Sequence, residues 1–393
     1  MKKIAALFLS AFLIVIIYAE TASAIPAFAR KYSMTCQTCH SPTPRLKDYG
    51  DDFAGNGFQL SDKEAPRYYQ ETGDPILSLI RDFPIAVRFD GFISYNNGNS
   101  DISDVQTPYL MKLMSGGAIT DDIAYYFYFY LSEHGEIAGI EDAYIMFNDI
   151  FDIDFDIYLG QFQVSDPLFK RELRLTLEDY HVYTATPGQS NINLKYDKGI
   201  MMTFGFDTGT DIIFEILNGN GIGETNSQGN FDKDKYKNFA GRISQSIGDF
   251  LRIGAFGYYG KEINQAPAGG EFENRMWLAG PDITLALGDM LELNGQYITR
   301  NDGTMYMAGS EVKDSKTDAA LAELIITPMG DESRIYGVAM YNWIDSDFDA
   351  LDYQSVTGHI GYLLRRNLRL VAEYTQNMTD EYGKFSVGFV SAF

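Results

Sequence analysis

The chain contains two cysteines, Cys36 and Cys39, and His40 follows the second of them directly. Two thiols with two residues between them can form thioethers with the two vinyl groups of one haem, and the adjacent imidazole is then held beside the iron. A redox disulfide would come with a βαβ pattern, and a structural zinc site with further ligands, and neither accompanies this motif. The spacing therefore predicts one covalent haem c, attached at Cys36 and Cys39, with His40 as the iron ligand.

The sequence leaves the sixth iron ligand open. Met34 lies two residues before Cys36, and we interpret it as an ordinary apolar residue. The other histidines, His134, His181 and His359, lie far along the chain and are interpreted as surface or lumen residues. The iron is then either five-coordinate or completed by a ligand from a partner.

The N-terminus predicts export from the cytoplasm. Lys2 and Lys3 precede an apolar run from Ile4 to about Ala19, and the small residues of 21–24 follow. This is the pattern of a secretory signal peptide, and the run is short for a membrane-spanning helix. We expect residues 1–24 to be removed and a c-type haem to be attached outside the cytoplasm.

Composition points to a β-protein that does not bind nucleic acid. The net charge is −23, whereas phosphate neutralisation requires clustered Lys and Arg. After the signal peptide there is no apolar run long enough for a membrane-spanning helix. The chain has 27 Tyr, 27 Phe and 37 Gly, which is typical of a secreted β-protein or an outer-membrane barrel.

Residues 25–83 are predicted to form a small helical haem segment and a connector. A short helix is expected to start at Thr43-Pro44 and to end at Gly55 and Gly57, with Leu46, Tyr49 and Phe53 on the face that covers the haem. Residues 61–83 are interpreted as a connector with one helical turn near 77–80. Four cations could pair with haem propionates or with an acidic partner, or could simply be solvated: Arg30, Lys31, Arg45 and Lys47.

From Ile85 onward, apolar and polar residues alternate with a period of two. Ile93 and Tyr95 lie on one face of the first strand, and Asp90 and Ser94 lie on the other. We count about sixteen strands of roughly ten residues, which is the length of a tilted membrane-spanning strand. Residues 84–393 are therefore predicted to be a transmembrane antiparallel β-barrel, in an all-β fold class.

Loop lengths support a barrel and give its orientation. Connections after even strands are short, and those after odd strands are mostly long, as in 164–197, 219–236, 262–273 and 301–316. Outer-membrane barrels have short periplasmic turns and longer external loops. This alternation places the start of the first strand and the end of the last strand, together with the haem segment before them, on the short-turn, periplasmic side.

Side chains on the strands predict an aromatic girdle and a lumen of mixed charge. Sixteen strands should enclose an aqueous lumen rather than a core filled by side chains. The expected girdle residues are Tyr125, Tyr126, Tyr130, Tyr258, Tyr259, Trp277, Tyr297, Trp343 and Tyr362. The expected lumen charges are Arg88, Arg242, Arg252, Arg300, Arg334 and Arg369 against Asp90, Glu215, Glu292, Glu323 and Glu373.

The longest connection follows strand five and is rich in charges. Its charged or titratable residues between 165 and 182 are Asp166, Lys170, Arg171, Glu172, Arg174, Glu178, Asp179 and His181. This connection either folds inward and sets the constriction of the lumen, or forms a charged external loop.

Two stretches carry a resemblance to known bacterial proteins. Phe393 ends an alternating last strand with Phe385, Val387 and Phe389 on one face, which resembles the assembly signal of outer-membrane barrels. Ser391 departs from the apolar residue usual at that place. The body is similar to sixteen-stranded porins, which have a long inward-folded loop after strand five. Residues 28–40 resemble the front of porin-like proteins with an N-terminal monohaem c-type segment, from metal- and sulfur-metabolising bacteria.

This resemblance implies haem binding at Cys36, Cys39 and His40 and a role in electron transfer. We expect an outer-membrane location with the haem segment in the periplasm, contact with outer-membrane lipid, periplasmic c-type cytochromes as partners and no nucleic acid. A homo-oligomer is left open. The alternatives are a passive solute channel with the haem as redox sensor or gate, and a haem-dependent reductase of a small oxyanion. No nucleophile–base constellation stands out, so an electron-transfer protein or channel is favoured over an enzyme.

Overall fold

The computed structural model describes residues 27–60, 73–74, 76–77, 83–98, 101–165, 167–307 and 309–393. The predicted signal peptide 1–24, most of the connector 61–83 and Asp166 lie outside these residues. Three short helices come first: α1 (Ala27–Tyr32), α2 (Cys36–Cys39) and α3 (Asp48–Gly55). Residues 27–60, which contain these helices, are called the N-terminal segment below. No helix of the described residues is long and apolar enough to span a membrane.

Sixteen strands follow the N-terminal segment, as the sequence predicts. They are β1 (Ile85–Asn96), β2 (Ile102–Ala118), β3 (Ile123–Glu133), β4 (Gly139–Phe147), β5 (Phe155–Gln163), β6 (Tyr196–Phe206), β7 (Thr210–Leu217), β8 (Asn238–Ile247), β9 (Leu251–Gln265), β10 (Glu271–Leu287), β11 (Leu291–Met307), β12 (Ser310–Ile326), β13 (Ile335–Ser346), β14 (Tyr353–Arg365), β15 (Leu368–Asn377) and β16 (Tyr382–Ala392). Each strand pairs with its neighbours in the chain, and β1 pairs with β16. All pairs are antiparallel, and the sheet is a closed barrel.

The last residues of the chain close the barrel against its first strand. Gly91 pairs with Phe389 and Tyr95 pairs with Phe385. Val87 and Phe393 exchange backbone hydrogen bonds of 2.7 and 2.8 Å, so the terminal residue is part of the ladder. Closure leaves no edge strand with unpaired backbone groups.

The period-two pattern separates an outer from an inner face, as expected. On β1, Ile93 is exposed, whereas Asp90 and Ser94 are buried in the lumen. On β11, Leu293 is exposed and Asn294 is buried. Successive strand residues point to opposite faces, so the apolar side of each strand covers the outside of the barrel.

Several assignments to a face are wrong. Tyr130 and Tyr258 are buried in the lumen, and Tyr126 packs beside the lumen residue Tyr128 rather than in an outer girdle. Arg334, expected in the lumen, is exposed at the end of the barrel, where its guanidinium lies 5.6 Å from the ring of Tyr362 on the outer face. Aromatic residues are favoured in strands on either face, so the residue type alone does not show whether a side chain points outward or into the lumen.

The two long connections, 164–195 and 218–237, both follow odd strands as predicted, but the other connections do not alternate between short and long. The connections 262–273 and 301–316 are not long loops, because the ladder continues through them to Gln265↔Glu271 and Met307↔Ser310. Below, the end of the barrel that carries the connections after even strands is called the short-turn end. The longest of these connections, 327–334, has eight residues and contains a single 3₁₀ turn.

The connection 164–195, called the inward loop below, folds into the lumen. Tyr180 donates a hydrogen bond of 2.9 Å to Glu323, and Glu373 accepts hydrogen bonds from the backbone N–H groups of Leu177 and Glu178. Its apolar residues form one cluster with the lumen faces of β3 to β13, and Leu194 and Leu217 are buried there. Of the two alternatives for this connection, the structure therefore shows the inward fold, and the loop supplies an apolar core inside the lumen that the strands alone do not.

A glycine of β10 allows close contact between two strands. A Cβ atom on Gly280 would lie 1.7 Å from the backbone oxygen of Tyr297, whereas a Cβ on Gly358 would meet nothing within 4 Å. Gly280→Ala should therefore lower the free energy of unfolding by about 1–3 kcal/mol, because β11 must move. Gly358→Ala is the matched control and should change it by less than about 0.5 kcal/mol. Urea unfolding of the folded barrel, followed by its mobility on an SDS gel, measures both, and equal midpoints would contradict the assignment.

Candidate haem site at the short-turn end

The Cys36–His40 motif is one turn of helix followed by an extended residue. The side-chain oxygen of Thr35 accepts a hydrogen bond of 3.0 Å from the backbone N–H of Gln37, which caps α2. The N–H of His40 donates to the carbonyl of Cys36 over 2.9 Å and ends the turn. Cys36 and Cys39 are three residues apart in this helix, so both thiols lie on the same side of it.

The orientation of His40 is set by a loop that folds back over it. His40 pairs with Leu46 in an isolated antiparallel bridge. Nδ1 of His40 lies 2.8 Å from the carbonyl oxygen of Pro44 and 3.3 Å from that of Arg45. A carbonyl can only accept, so Nδ1 carries the proton and Nε2 keeps its lone pair. Among the residues that the structure describes, Nε2 of His40 has no hydrogen-bond partner.

Aromatic side chains surround the motif. Cys39, Phe53 and Phe58 are buried together, and the ring centroids of Phe53 and Phe58 are 6.1 Å apart. Six partly buried residues of the segment pack against them: Phe28, Tyr32, Met34, Leu46, Ala54 and Leu60. Burial lowers the pKa of His40, which favours the neutral imidazole, and it raises the pKa of both thiols.

These features fit a covalently bound haem. The two thiols are free and are not joined in a disulfide. A metal-binding histidine usually donates its other ring N–H to a carbonyl or carboxylate, which fixes its tautomer, and His40 does so to Pro44. Apolar neighbours are those expected around a porphyrin. Met34 packs in the same cluster, and its assignment as an ordinary apolar residue stays a prediction.

The helix after the motif differs from the prediction. α3 begins at Asp48, not at Thr43-Pro44, and Lys47 at its N-cap makes no side-chain capping bond. Phe53 is buried, but Tyr49 is exposed and does not belong to the covering face. A Cβ on Gly50 would lie 2.3 Å from the carbonyl oxygen of Cys39, so α3 packs on α2 through a glycine.

The N-terminal segment is docked on the short-turn end of the barrel. Lys47 forms an ion pair with Asp331 in the β12–β13 connection, and Gln37 donates a hydrogen bond of 2.6 Å to the backbone oxygen of Asp331. Arg45 forms an ion pair with Glu292 at the start of β11. Arg30 donates a hydrogen bond to the backbone oxygen of Ile85 in β1, so at least three of the four cations of the segment bind the barrel and are not simply solvated.

A second set of contacts fixes the segment on the opposite side of the mouth. The ring of Phe58 stacks on Tyr126 of β3 with a centroid distance of 5.2 Å. The amide of Gln59 donates a hydrogen bond of 3.0 Å to the backbone oxygen of Asp121 in the β2–β3 connection. Contacts near β3 and near β11 to β13 show that the segment reaches across the mouth of the barrel.

The inward loop reaches the segment from the lumen side. Nζ of Lys170 lies 3.3 Å from a carboxylate oxygen of Asp51 in α3. Other charges of the loop are paired inside the lumen: Glu172 accepts hydrogen bonds of 2.8 Å from Lys112 and from Tyr130, and Arg171 pairs with Asp179. The loop thus connects the barrel wall with the N-terminal segment.

The remaining histidines lie where the sequence places them, on the surface or in the lumen. His134 is exposed in the β3–β4 connection. His181 belongs to the inward loop and lies 3.1 Å from Glu178. Nδ1 of His359 lies 2.9 Å from Glu373, and its Nε2 is buried without a hydrogen-bond partner among the described residues.

Sequence reasoning missed the contribution of the barrel to this site. The pairing of Arg45 with Glu292 joins residues 247 positions apart, and no local pattern reports such a contact. The one available signal was the period-two pattern, which places Glu292 and Arg369 on lumen faces.

The ion pair of Lys47 with Asp331 should hold the segment in place in a pH-dependent manner. Burial alone would raise the pKa of Asp331, but hydrogen bonds from Lys47 and Ser41 and the charges of Lys47 and Arg45 hold it below its usual value. A depressed carboxyl pKa stabilises the docked state above about pH 4, and this contribution is lost as the pH falls through the pKa of the docked state. Asp331→Asn should therefore speed proteolysis of the segment at pH 7 by roughly 1.5- to 5-fold, the effect of an exposed ion pair.

Asp249→Asn, in the β8–β9 connection of the same end, is the control for this measurement. It should leave the cleavage rate unchanged, and the effect of Asp331→Asn should shrink in high salt. Cleavage of the Asp331→Asn protein at the wild-type rate at pH 7 would contradict the role of this pair.

Comparison with known proteins identifies a fold and no family. No protein-family model matches the chain, and no curated protein matches it. Among solved structures, the outer-membrane channel DcaP of Acinetobacter baumannii is 13% identical, with a TM-score of 0.55 over 79% of this chain and 97% of DcaP. An anion-selective porin from Comamonas acidovorans is also 13% identical, with a TM-score of 0.55 over 79% of this chain and 99% of the porin. Salmonella typhi OmpF, solved with daunomycin, is 11% identical, with a TM-score of 0.54 over 79% of this chain and 97% of OmpF. The chain therefore has the β-barrel fold of the outer-membrane porins.

Proposed function

We propose that this protein is a porin-like barrel of the outer membrane that carries one covalent haem c at its short-turn, periplasmic end and takes part in electron transfer. Cys36 and Cys39 form the thioethers, and His40 binds the iron through Nε2. When bound, the haem supplies a reversible one-electron change between ferric and ferrous iron. Periplasmic c-type cytochromes are the proposed partners.

The geometry of His40 is the observation that carries this proposal. Its Nδ1–H is donated to the carbonyl of Pro44 at 2.8 Å, which leaves Nε2 as the metal-binding atom. His359 in the lumen also leaves its Nε2 without a partner among the described residues, but it has no thiols beside it. Two free thiols one helical turn before the imidazole complete the set of groups that a c-type haem needs.

The membrane location is supported by the outer face of the barrel. Large apolar side chains are exposed on strand after strand, as with Ile243, Ile283 and Ile360. In water such an apolar surface would promote aggregation, whereas in a bilayer it lies against the lipid chains. The comparisons with outer-membrane channels support the same location.

The residues of the site bind and orient the haem and exclude water from it. Pro44 fixes the imidazole plane, and Phe53 and Phe58 form the apolar wall that lowers the local dielectric. One haem at one end cannot conduct electrons through an apolar band about 25 Å tall. A route across the membrane would need further haems from a partner subunit, so this haem is proposed to be one of several electron carriers along such a route.

Loss of the motif should remove the haem and leave the barrel folded. In the variants Cys36→Ala, Cys39→Ala and His40→Ala, the barrel should keep its heat-modifiable mobility on an SDS gel, because no strand depends on these residues. The double thiol variant should give no covalent haem in a pyridine haemochrome assay, and His40→Ala should change the visible spectrum of the haem or lose the haem itself. His134→Ala, at the other end of the barrel, is the control and should match wild type. A wild-type protein without covalent haem would overturn the proposal.

A second candidate function is a solute channel whose opening depends on the redox state of the haem. The contact of Lys170 with Asp51 favours it, because the haem-bearing segment touches the loop that narrows the lumen. Such a channel should show a different bilayer conductance after dithionite reduction than after ferricyanide oxidation. The variant Cys36→Ala with Cys39→Ala should show no redox dependence. Equal conductance of the oxidised and reduced wild type would remove this candidate.

A further inference from the structure

Arg369 is a buried cation near the haem site that has no anionic partner. It lies at the start of β15, next to the β14–β15 connection of the short-turn end, and its exposed fraction is 4%. Its Nη1 donates a hydrogen bond of 2.8 Å to the phenol oxygen of Tyr336. Among the residues that the structure describes, no carboxylate forms an ion pair with it. A neutral phenol does not compensate a buried charge.

Other buried arginines of the lumen are paired. Arg242 binds Asp282 with distances of 2.5 and 3.0 Å, and Arg300 binds Asp302 with distances of 2.7 and 2.9 Å. Removing the partner of such a buried charge is strongly destabilising, so unpaired buried arginines are rare. Arg369 is therefore expected to meet an anion that the chain itself does not supply.

The carboxylates nearest to Arg369 on its own and the facing strands are already engaged. Glu373, four residues further on the same face of β15, binds His359 and accepts two backbone N–H groups of the inward loop. Glu332, in the β12–β13 connection, lies 3.7 Å from Arg366. Neither is placed to bind the guanidinium of Arg369.

The contacts of Arg369 adjoin those that dock the haem segment. Arg369 binds Tyr336 at the start of β13, and the connection just before β13 binds Lys47 and Gln37 of the N-terminal segment through Asp331. In the same region Arg366 is already close to Glu332, whereas Arg369 has no carboxylate partner among the described residues.

We propose that Arg369 binds a propionate carboxylate of the haem attached at Cys36 and Cys39. Thioether bonds hold the porphyrin by its vinyl groups, and the propionates are its negatively charged substituents. The planar guanidinium matches a carboxylate bidentately, which a lysine cannot do. The haem site is then built jointly by the N-terminal segment and the barrel wall. This inference rests on the proposed function, because it needs the haem.

The pairing gives Arg369 a role in tuning the iron. A positive charge held next to a propionate reduces the net negative charge around the iron and favours the ferrous state. Removing it leaves the propionate uncompensated in a poorly solvated site and favours the ferric state. The reduction potential should therefore fall when the charge is lost.

The test is a redox titration of the purified full-length protein, followed by its visible spectrum. Arg369→Gln should keep the covalent haem but have a more negative midpoint potential than wild type. Arg365→Gln is the matched control, because Arg365 lies four residues earlier, at the end of β14, and is exposed. It should keep the wild-type potential. A fully haem-loaded Arg369→Gln protein with the wild-type potential would overturn the inference.

Two further measurements distinguish a failure of the proposed function from a failure of the role assigned to Arg369. A wild-type protein with no pyridine haemochrome would refute the proposed function itself, whereas haem with an unshifted Arg369→Gln potential refutes only the role of Arg369. If Arg369→Gln does not give a heat-modifiable barrel, Arg369→Lys keeps the charge and loses the bidentate geometry. Its resonance Raman propionate-bending band should then shift from the wild-type position, and an unchanged band would overturn the inference.

Discussion

Closure of the barrel between β1 and β16 is the constraint on which the rest of the structure depends. The ladder joins residues about 300 positions apart, from Arg88↔Ala392 to Asn96↔Lys384. It satisfies the backbone groups of both terminal strands, which an open sheet would leave unpaired. Because β1 starts at the short-turn end, closure also fixes where the chain enters the barrel. The N-terminal segment that precedes β1 is thereby held beside the mouth on which it docks.

The lumen is occupied from both directions. The inward loop enters it and packs an apolar cluster against β3 to β13, and the N-terminal segment covers the short-turn mouth. The two meet at Lys170 and Asp51. This arrangement differs from an empty pore, in which strands alone would define the passage. On its polar side the loop pairs Glu172 with Lys112 of the barrel wall.

Electrostatics connects cations of the N-terminal segment with carboxylates of the barrel. The chain has a net charge of −23, yet Arg45 and Lys47 of the segment both find carboxylates on the barrel. Partly exposed pairs of this kind contribute little free energy each but restrict the orientation of the segment. Phe58 on Tyr126 adds apolar contact on the other side of the mouth. Together they present Cys36, Cys39 and His40 to the barrel wall, where the proposed partner of the haem, Arg369, is located.

The sequence by itself determined the features that depend on local spacing. The motif Cys36–His40 follows from five consecutive residues, and the strand count follows from a period of two, because side chains alternate along any strand. Tertiary structure decided the rest. The direction of the inward loop depends on hydrogen bonds such as that of Tyr180 with Glu323, and the docking of the segment depends on Lys47 with Asp331. The face taken by Tyr130 and the lone charge of Arg369 depend on register and on distant neighbours. Contacts between residues more than a hundred positions apart leave no periodic trace in the sequence, so only the closed barrel brings them together.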